Sequence, residues 1–222
     1  SYALNRENYI KAIYLGNAQV ATNPLPPTIW GYHEGIEGFP YDPELSKKLL
    51  KEAGAEGLEL ELWSLPVARP YIPNGKQLAT LMQADLRKVG IQAKIVTFDW
   101  STYLEKSRNA EHELIQLGWT GDNGDPDNFL NVLLGCDAVK SGSNVSRWCH
   151  PEFEKVVQKA RQILDREERV KLYREAQEIF HKEIPFLPIA HSTTFRAIRK
   201  GVVGFEIDPF GKDQFDSVGF EK

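Results

Sequence analysis

Three aspartates lie close together in the stretch GWTGDNGDPDNF, residues 118–129, directly after an apolar run. Carboxylates at this spacing could ligate calcium, act as a pair in glycoside hydrolysis, or bind the cationic group of a ligand. The candidates are Asp122, Asp125 and Asp127, and the residues around them help to separate these possibilities.

A calcium loop needs acidic or amide side chains at alternate early positions and a glutamate at its end. A loop starting at Asp122 has Gly124 at its third position, and one starting at Asn123 has Leu134 at its last. The calcium hypothesis therefore fails, and we expect no metal. A hydrolase that uses the cluster from Asp122 to Asp127 stays an alternative, although neighbours in one loop do not flank a substrate bond.

The three aspartates are predicted to have different roles. Asp125 precedes a proline and is predicted to cap a helix, and Asp127 lies in the first turn, where the helix dipole favours a carboxylate. Asp122 precedes the cap and lies between Gly121 and Gly124. Glycines at these places would allow the backbone of another molecule to approach closely, so Asp122 is the candidate ligand-binding carboxylate.

A second candidate is Arg69 in the stretch PVARPYIPN, residues 66–74. Its proline neighbours stiffen the loop and lower the entropy cost of presenting a guanidinium. A fixed arginine at one strand end and Asp122 at another could bind the two ends of a zwitterion.

The patterns around these loops predict the elements that position them. Alternating or apolar runs predict strands, and apolar residues at helical spacing with capping signals predict helices. The strands are expected at 58–65, 91–98, 112–119 and 184–192, and the helices at 42–54, 75–89, 100–108, 126–134, 151–164 and 166–182. Strand–helix–strand order is typical of an α/β lobe with parallel pairing, and such sheets bind ligands beyond the carboxyl ends of their strands.

The two cysteines, Cys136 and Cys149, enclose a stretch rich in Gly, Ser and Asn. They are either two separate buried thiols or a local disulfide, which at this span would add about 3 kcal/mol of stability. A metal site is the weaker alternative because the paired C-x-x-C spacing is missing.

Bulk composition excludes several classes of protein. The chain has 222 residues and a net charge of −4, so no basic field indicates nucleic-acid binding. No apolar run is long enough to span a bilayer. The first residues lack an initiator Met and a signal peptide, and we interpret the chain as a piece of a longer protein.

Several segments together resemble the periplasmic dipeptide-binding proteins of the peptide- and nickel-binding class of ABC-transporter solute receptors. The resemblance runs through the whole chain, and its segments are NPLPPTIWGY, YDPELSKKLLKEAG, LWSLPVARPYIPN, MQADLRKVGIQAKIVTFDWSTYL, GWTGDNGDPDNF and GSNVSRWC. It implies one lobe of a two-lobed (type II) periplasmic-binding-protein fold, with a mixed sheet flanked by helices. Residues 1–190 would form the second, ligand-binding lobe, and residues 191–222 would return to the absent first lobe.

The resemblance also implies roles for particular residues. Asp122 would bind the α-ammonium of a peptide and Arg69 its α-carboxylate. The wall beside the aspartate would include Trp119, Thr120 and Gly121. We add Tyr71, from the loop of Arg69, to the ligand-binding set. The resemblance further implies that the two cysteines form a disulfide.

The expected function is an exported, periplasmic and monomeric receptor that delivers dipeptides or short peptides to the permease of an ABC importer. It would carry out no catalysis and need no cofactor. A haem or glutathione carrier on the same scaffold is the first alternative, and the hydrolase is the second. Haem would favour an apolar slot and could use an axial ligand, for which His33, His112 and His191 are candidates in number only, since a lone histidine is more often structural.

Overall fold

The computed structural model describes residues 1–221. The helices are α1 Arg6–Ile13, α2 Pro43–Glu52, α3 Gly75–Lys88, α4 Trp100–Arg108, α5 Asp127–Leu134, α6 Cys136–Ser141, α7 Pro151–Gln162 and α8 Arg166–Glu183. The strands are β1 Ala18–Val20, β2 Glu59–Trp63, β3 Gln92–Val96, β4 Leu114–Ile115, β5 Ala190–Ser192, β6 Val202–Val203 and β7 Gly219–Phe220.

A parallel three-stranded sheet in the order β3-β2-β4 forms the centre of the lobe. Its crossovers are α3, between β2 and β3, and α4, between β3 and β4. The antiparallel pairs β1–β5 and β6–β7 are separate two-stranded sheets, so both pairing types occur, but in different sheets. The α/β lobe predicted from the sequence is confirmed.

The helix boundaries follow local capping signals. Asp42 accepts a hydrogen bond from the N–H of Leu45 at 2.9 Å, and a proline occupies the first position of α2. Asn74 accepts one from the N–H of Gln77 at 3.0 Å and caps α3 in the same way. These bonds satisfy N–H groups that have no partner inside the helix.

Two clusters of buried apolar side chains hold the lobe together. The first joins α1 and α3 to the parallel sheet, with Tyr9, Leu62 and Leu78 among its least exposed members. The second joins α5, α7 and α8 around Phe153 and Tyr173. The acidic turn connects β4 of the first cluster to α5 of the second.

The third parallel strand is shorter than the 112–119 expected from its apolar pattern. Gln116 still donates its N–H to the Trp63 carbonyl at 3.1 Å, but beyond that point the neighbouring strand ends. The N–H of Leu65 is bound by the side chain of Gln116 at 3.0 Å, and Pro66 has no N–H to offer. The chain therefore leaves the sheet after Gln116.

Other boundaries also differ from expectation. α5 begins at Asp127 with Pro126 at its N-cap position, so Asp125 is one residue too early to be the cap itself. Oδ1 of Asp125 nevertheless accepts a hydrogen bond from the N–H of Asp127 at 3.0 Å. The last predicted strand is paired only over Ala190–Ser192, because prolines interrupt the preceding residues.

The Cys136–Cys149 disulfide is present in the structure, with an S–S distance of 2.06 Å. The segment it closes contains the short helix α6, where the sequence had predicted only a loop. The N–H of Cys136 donates to Glu154 Oε2 at 2.7 Å, which ties the disulfide to α7. Among residues 1–221, the structure contains no helix with the length and apolar character needed to cross a membrane.

Candidate functional site

The loop after β2, residues 66–74, holds Arg69 in a tight turn. Arg69 and Ile72 exchange two backbone hydrogen bonds of 3.0 Å each. The guanidinium carbon of Arg69 lies 4.4 Å from the centre of the Trp100 ring, a cation–π contact with the first residue of α4. Nε of Arg69 is buried and has no hydrogen-bond partner within the described chain. The guanidinium of Arg69 therefore rests on the Trp100 ring, and its buried Nε–H has no acceptor in residues 1–221.

Tyr71 joins this loop to the acidic turn. A Cβ placed on Gly118 would lie 2.4 Å from Tyr71 Cδ2 and 2.5 Å from Cγ, so the ring lies directly against the glycine backbone. The carbonyl of Tyr71 accepts the hydroxyl of Tyr14 at 2.8 Å. Burial raises the pKa of Tyr71, and the nearby charge of Arg69 partly opposes this rise. The two loops predicted to bind the ligand thus pack on each other.

The acidic turn is organised by Asn128, the second residue of α5. Its Oδ1 accepts the indole N–H of Trp119 at 2.8 Å and the backbone N–H of Asp122 at 3.0 Å. Its Nδ2 donates to Asp122 Oδ2 at 3.2 Å. Trp119, Thr120 and Asp122 are exposed, whereas Gly121 is buried. Trp119, Thr120 and Asp122 therefore form an exposed surface, and Asn128 holds two of these three residues, Trp119 and Asp122, by hydrogen bonds.

Of the two glycines beside Asp122, Gly121 has an explanation within the lobe, whereas Gly124 has none. A Cβ on Gly121 would lie 3.0 Å from Phe129 Cε2, so the missing side chain makes room for a ring of the same chain. A Cβ on Gly124 would meet Phe210 Cζ at 3.7 Å, an ordinary contact. Close packing inside the lobe accounts for Gly121 without a ligand.

The other two aspartates are paired within the lobe. Arg169 Nη2 of α8 donates to Asp125 Oδ1 at 2.8 Å. Arg161 Nε of α7 lies 3.4 Å from Asp127 Oδ1, an ion-pair distance without hydrogen-bond geometry. Burial raises the pKa of Asp127, and the charge of Arg161 counters that rise. Asp127 therefore joins α5 to α7, and Asp125 joins the turn before α5 to α8.

Asp122 has no such partner. Over residues 1–221, no Lys, Arg or His side chain lies within 4.0 Å of its carboxylate, whose one hydrogen bond comes from the amide of Asn128. Lys212 Nζ reaches the backbone carbonyl of Asp122 at 3.4 Å. Of the three aspartates, Asp122 alone has a carboxylate that forms no ion pair with any residue in the described range 1–221.

The histidines considered as haem ligands are engaged or buried. His33 Nε2 lies 3.0 Å from Glu178 Oε1, and His112 Nε2 lies 3.0 Å from the Val145 carbonyl. Burial lowers the pKa of His112 and lowers that of His191 to about 4. Within the described part of the chain, no group of three or more His, Cys, Asp or Glu side chains could hold a metal ion.

A separate surface groove of about 410 Å³ lies at the amino end of β2. Charges of both signs line it, including Glu61, Arg87 and Lys94. It contains neither of the loops described above, and parallel sheets bind ligands at the opposite end of their strands. The two loops therefore remain the candidate site.

Three residues of the site were not identified from the sequence: Asn128, Trp100 and Gly118. Asn128 lies six positions after Asp122, and an asparagine near a helix start ordinarily indicates local capping. Trp100 follows the capping Asp99, and the local pattern there predicts only a helix. The ring of Tyr71 against Gly118 is a contact between two loops, which no local pattern encodes.

Comparison with known proteins gives consistent results. Residues 1–141 match the family described as bacterial extracellular solute-binding proteins, family 5 Middle. The chain is 49% identical over 222 residues to the dipeptide-binding protein of Escherichia coli (strain K12), covering 100% of this chain and 42% of that protein. It is 42% identical over 222 residues to heme-binding protein A of Haemophilus influenzae, covering 100% of this chain and 40% of that protein.

A solved structure is similar as well. The dipeptide binding protein from Pseudoalteromonas sp. SM9913, in complex with Met-Leu, superposes with a TM-score of 0.93 at 38% identity. The match covers 99% of this chain and 44% of that protein. The chain thus spans less than half the length of the proteins it matches.

Proposed function

This chain belongs to the family 5 bacterial extracellular solute-binding proteins, and on that basis we propose that it is the ligand-binding lobe of a receptor for dipeptides. The receptor would lie in the periplasm, act as a monomer and deliver its ligand to the permease of an ABC importer. The relatives named for dipeptide binding support this ligand class. The observation that carries the proposal is the unmatched carboxylate of Asp122.

In the proposed complex, Asp122 binds the α-ammonium of the peptide and Arg69 binds its α-carboxylate. A closed cleft removes water from both ends of a zwitterion, and a buried charge without a partner is costly. Asp122 supplies an acceptor whose charge the lobe leaves unmatched, and Arg69 supplies a fixed guanidinium. Trp119, Thr120 and Tyr71 would form the wall between them.

We further propose that residues 1–190 form the lobe and that residues 191–222 return to the other part of the receptor. Beyond β5 the only paired strands in the described residues are the two-residue β6 and β7. Large apolar side chains in this segment are strongly exposed, as expected of chain that packs against another surface. They include Phe195 at 62%, Phe215 at 68% and Phe220 at 74%.

A haem or glutathione carrier is the second candidate, because a relative named for haem binding is 42% identical. Glutathione, like a dipeptide, carries an ammonium and carboxylates, whereas haem would require an apolar slot. The hydrolase alternative is wrong, because the family consists of solute-binding proteins. Asp125 and Asp127 are also paired with arginines and do not form a free carboxylate pair with Asp122.

Calorimetric titration of the full-length receptor tests the proposal. Wild-type protein and the Asp122→Asn variant are each titrated with a dipeptide panel, N-acetylated dipeptides, glutathione and haem. Breaking one side of a buried charge pair costs about 3–5 kcal/mol. We therefore expect Asp122→Asn to weaken dipeptide binding about 10²–10³-fold or more, since 1.4 kcal/mol is tenfold. N-acetylated dipeptides should bind weakly to both proteins.

The Asp125→Asn and Asp127→Asn variants serve as matched controls. They remove the same charge from the same turn, and we expect them to lower stability by about 1 kcal/mol while leaving dipeptide affinity unchanged. A folded Asp122→Asn protein that binds dipeptides within about threefold of wild type would remove Asp122 from the site. Tighter binding of haem or glutathione than of any dipeptide would favour the second candidate.

A further inference from the structure

The side chain of Asn128 makes three hydrogen bonds to the acidic turn, and all three reach residues proposed to face the ligand. Two N–H donors, one from the Trp119 indole and one from the Asp122 backbone, converge on Oδ1 at 2.8 and 3.0 Å. The carboxylate of Asp122 accepts from Nδ2 at 3.2 Å. No other side chain in residues 1–221 bonds to both Trp119 and Asp122.

This arrangement requires an amide. An amide carries an acceptor and a donor side by side, whereas a carboxylate only accepts and an aliphatic chain does neither. The two N–H donors fix which atom is oxygen, because a flipped amide would place N–H against N–H. An aspartate at position 128 would keep both acceptor bonds but would lose the donor and place a like charge beside Asp122.

Asn128 is itself held firmly. The next two residues of α5, Phe129 and Leu130, are buried in the second core cluster, at 5% and 0% exposure. Phe129 also packs against Gly121 in the turn. Because its helix is anchored in the core, Asn128 can hold the exposed carboxylate of Asp122 in one place.

From this geometry we propose that Asn128 is a positioning residue for the ligand's ammonium, an inference that rests on the proposed role of Asp122. By occupying Asp122 Oδ2, it sets the orientation of the carboxylate and leaves Oδ1, which accepts no hydrogen bond in residues 1–221, for the ammonium. The same amide fixes the indole edge of Trp119. Holding these groups before the ligand arrives reduces the ordering cost of binding.

The test compares Asn128→Asp with Asn123→Asp in the full-length receptor. Asn123 lies in the same turn, and its Oδ1 accepts the N–H of Asp125 at 3.0 Å, a bond that aspartate can also make. The two variants thus add the same charge and keep the acceptor bonds, but only the first removes a donor from Asp122. Each is titrated with a free dipeptide and with its N-acetylated form.

We expect Asn128→Asp to weaken binding of the free dipeptide about tenfold or more, while its effect on the N-acetylated form stays below about threefold. Asn123→Asp should change both affinities by less than about threefold. Equal losses for both peptides would indicate general disruption of the turn and would overturn the proposal. So would an equal loss in Asn123→Asp, or no loss in Asn128→Asp.

A ligand-free measurement separates this inference from the proposed function. The indole N–H of Trp119, assigned with Trp119→Phe, is followed by NMR. It should lose protection from solvent exchange in Asn128→Ala but retain it in Asn128→Asp, which keeps the acceptor. Unchanged protection in Asn128→Ala would overturn the network itself. Wild-type affinity in Asp122→Asn would instead refute the role of Asp122, whatever the indole signal shows.

Discussion

The contact between Tyr71 and Gly118 allows a sharp test of how the two loops are coupled. A Cβ added to Gly118 would lie 2.4, 2.5 and 2.9 Å from three Tyr71 carbons, whereas ordinary contacts are 3.4–4 Å. The Gly118→Ala substitution must therefore displace the ring by about 1 Å. Since Tyr71 lies between the paired Arg69 and Ile72, we expect the whole turn to move with it.

The expected cost has two parts. Overpacking at a closely packed position costs about 1–3 kcal/mol of stability. The shift of Arg69 relative to Asp122 should also weaken dipeptide binding by about tenfold, equivalent to 1.4 kcal/mol. Thermal unfolding and calorimetry on the full-length receptor measure the two effects separately. Gly124→Ala is the matched control, because a Cβ there meets Phe210 at an ordinary 3.7 Å.

A double mutant identifies the cause. In a Tyr71→Ala background the two shortest contacts, to the ring, no longer exist and only the 2.9 Å approach to Cβ remains, so adding Gly118→Ala should cost less stability than it does in the wild type. If the two changes were simply additive, the ring contact would not be the reason. If Gly118→Ala alone bound and unfolded like wild type, the packing between the loops would not set the geometry of the site.

Two further predictions concern stability. The Cys136–Cys149 disulfide closes a span of 13 residues, so replacing both cysteines by serine should lower the free energy of unfolding by about 3 kcal/mol. Native protein from an oxidising compartment should show no alkylatable thiol in a mass measurement, and two modified thiols would contradict the assignment. Burial lowers the pKa of His191 from 6.5 to about 4, so between these pH values the imidazole is protonated in the unfolded chain and neutral in the folded chain. Stability should therefore fall as the pH drops from 6.5 towards 4, by up to about 3 kcal/mol, and urea unfolding of His191→Gln should show a flatter pH dependence.

The elements that the sequence predicted well are those with local causes. The cap of Asp42, the proline after it and the apolar spacing that follows lie within one segment, and α2 begins and ends close to where they indicate. The sequence also predicted the strands β2 and β3, because their apolar patterns are regular. The two strands pair with each other in the central sheet. These features need no knowledge of distant residues.

The predictions that were wrong depended on distant partners. The third strand ends early because the side chain of Gln116 accepts the backbone N–H of Leu65, which follows β2 and lies 51 positions away in sequence. The glycine at position 121 accommodates the ring of Phe129, a contact that the sequence did not predict. Such contacts form only when loops and helices meet in three dimensions, so residue spacing along the chain does not reveal them.

The acidic turn illustrates how a folded chain distinguishes chemically identical residues. Asp122, Asp125 and Asp127 carry the same group within six residues, and local rules separated them only partly. Arg169 of α8 and Arg161 of α7 form ion pairs with Asp125 and Asp127. These pairs tie the acidic turn and α5 to the two helices. Within residues 1–221 the carboxylate of Asp122 accepts a hydrogen bond only from the neutral amide of Asn128, which orients the carboxylate without matching its charge. A cation that matched Asp122 from within the lobe would compete with any ligand ammonium, so leaving this one charge open is what a site for a cationic group requires.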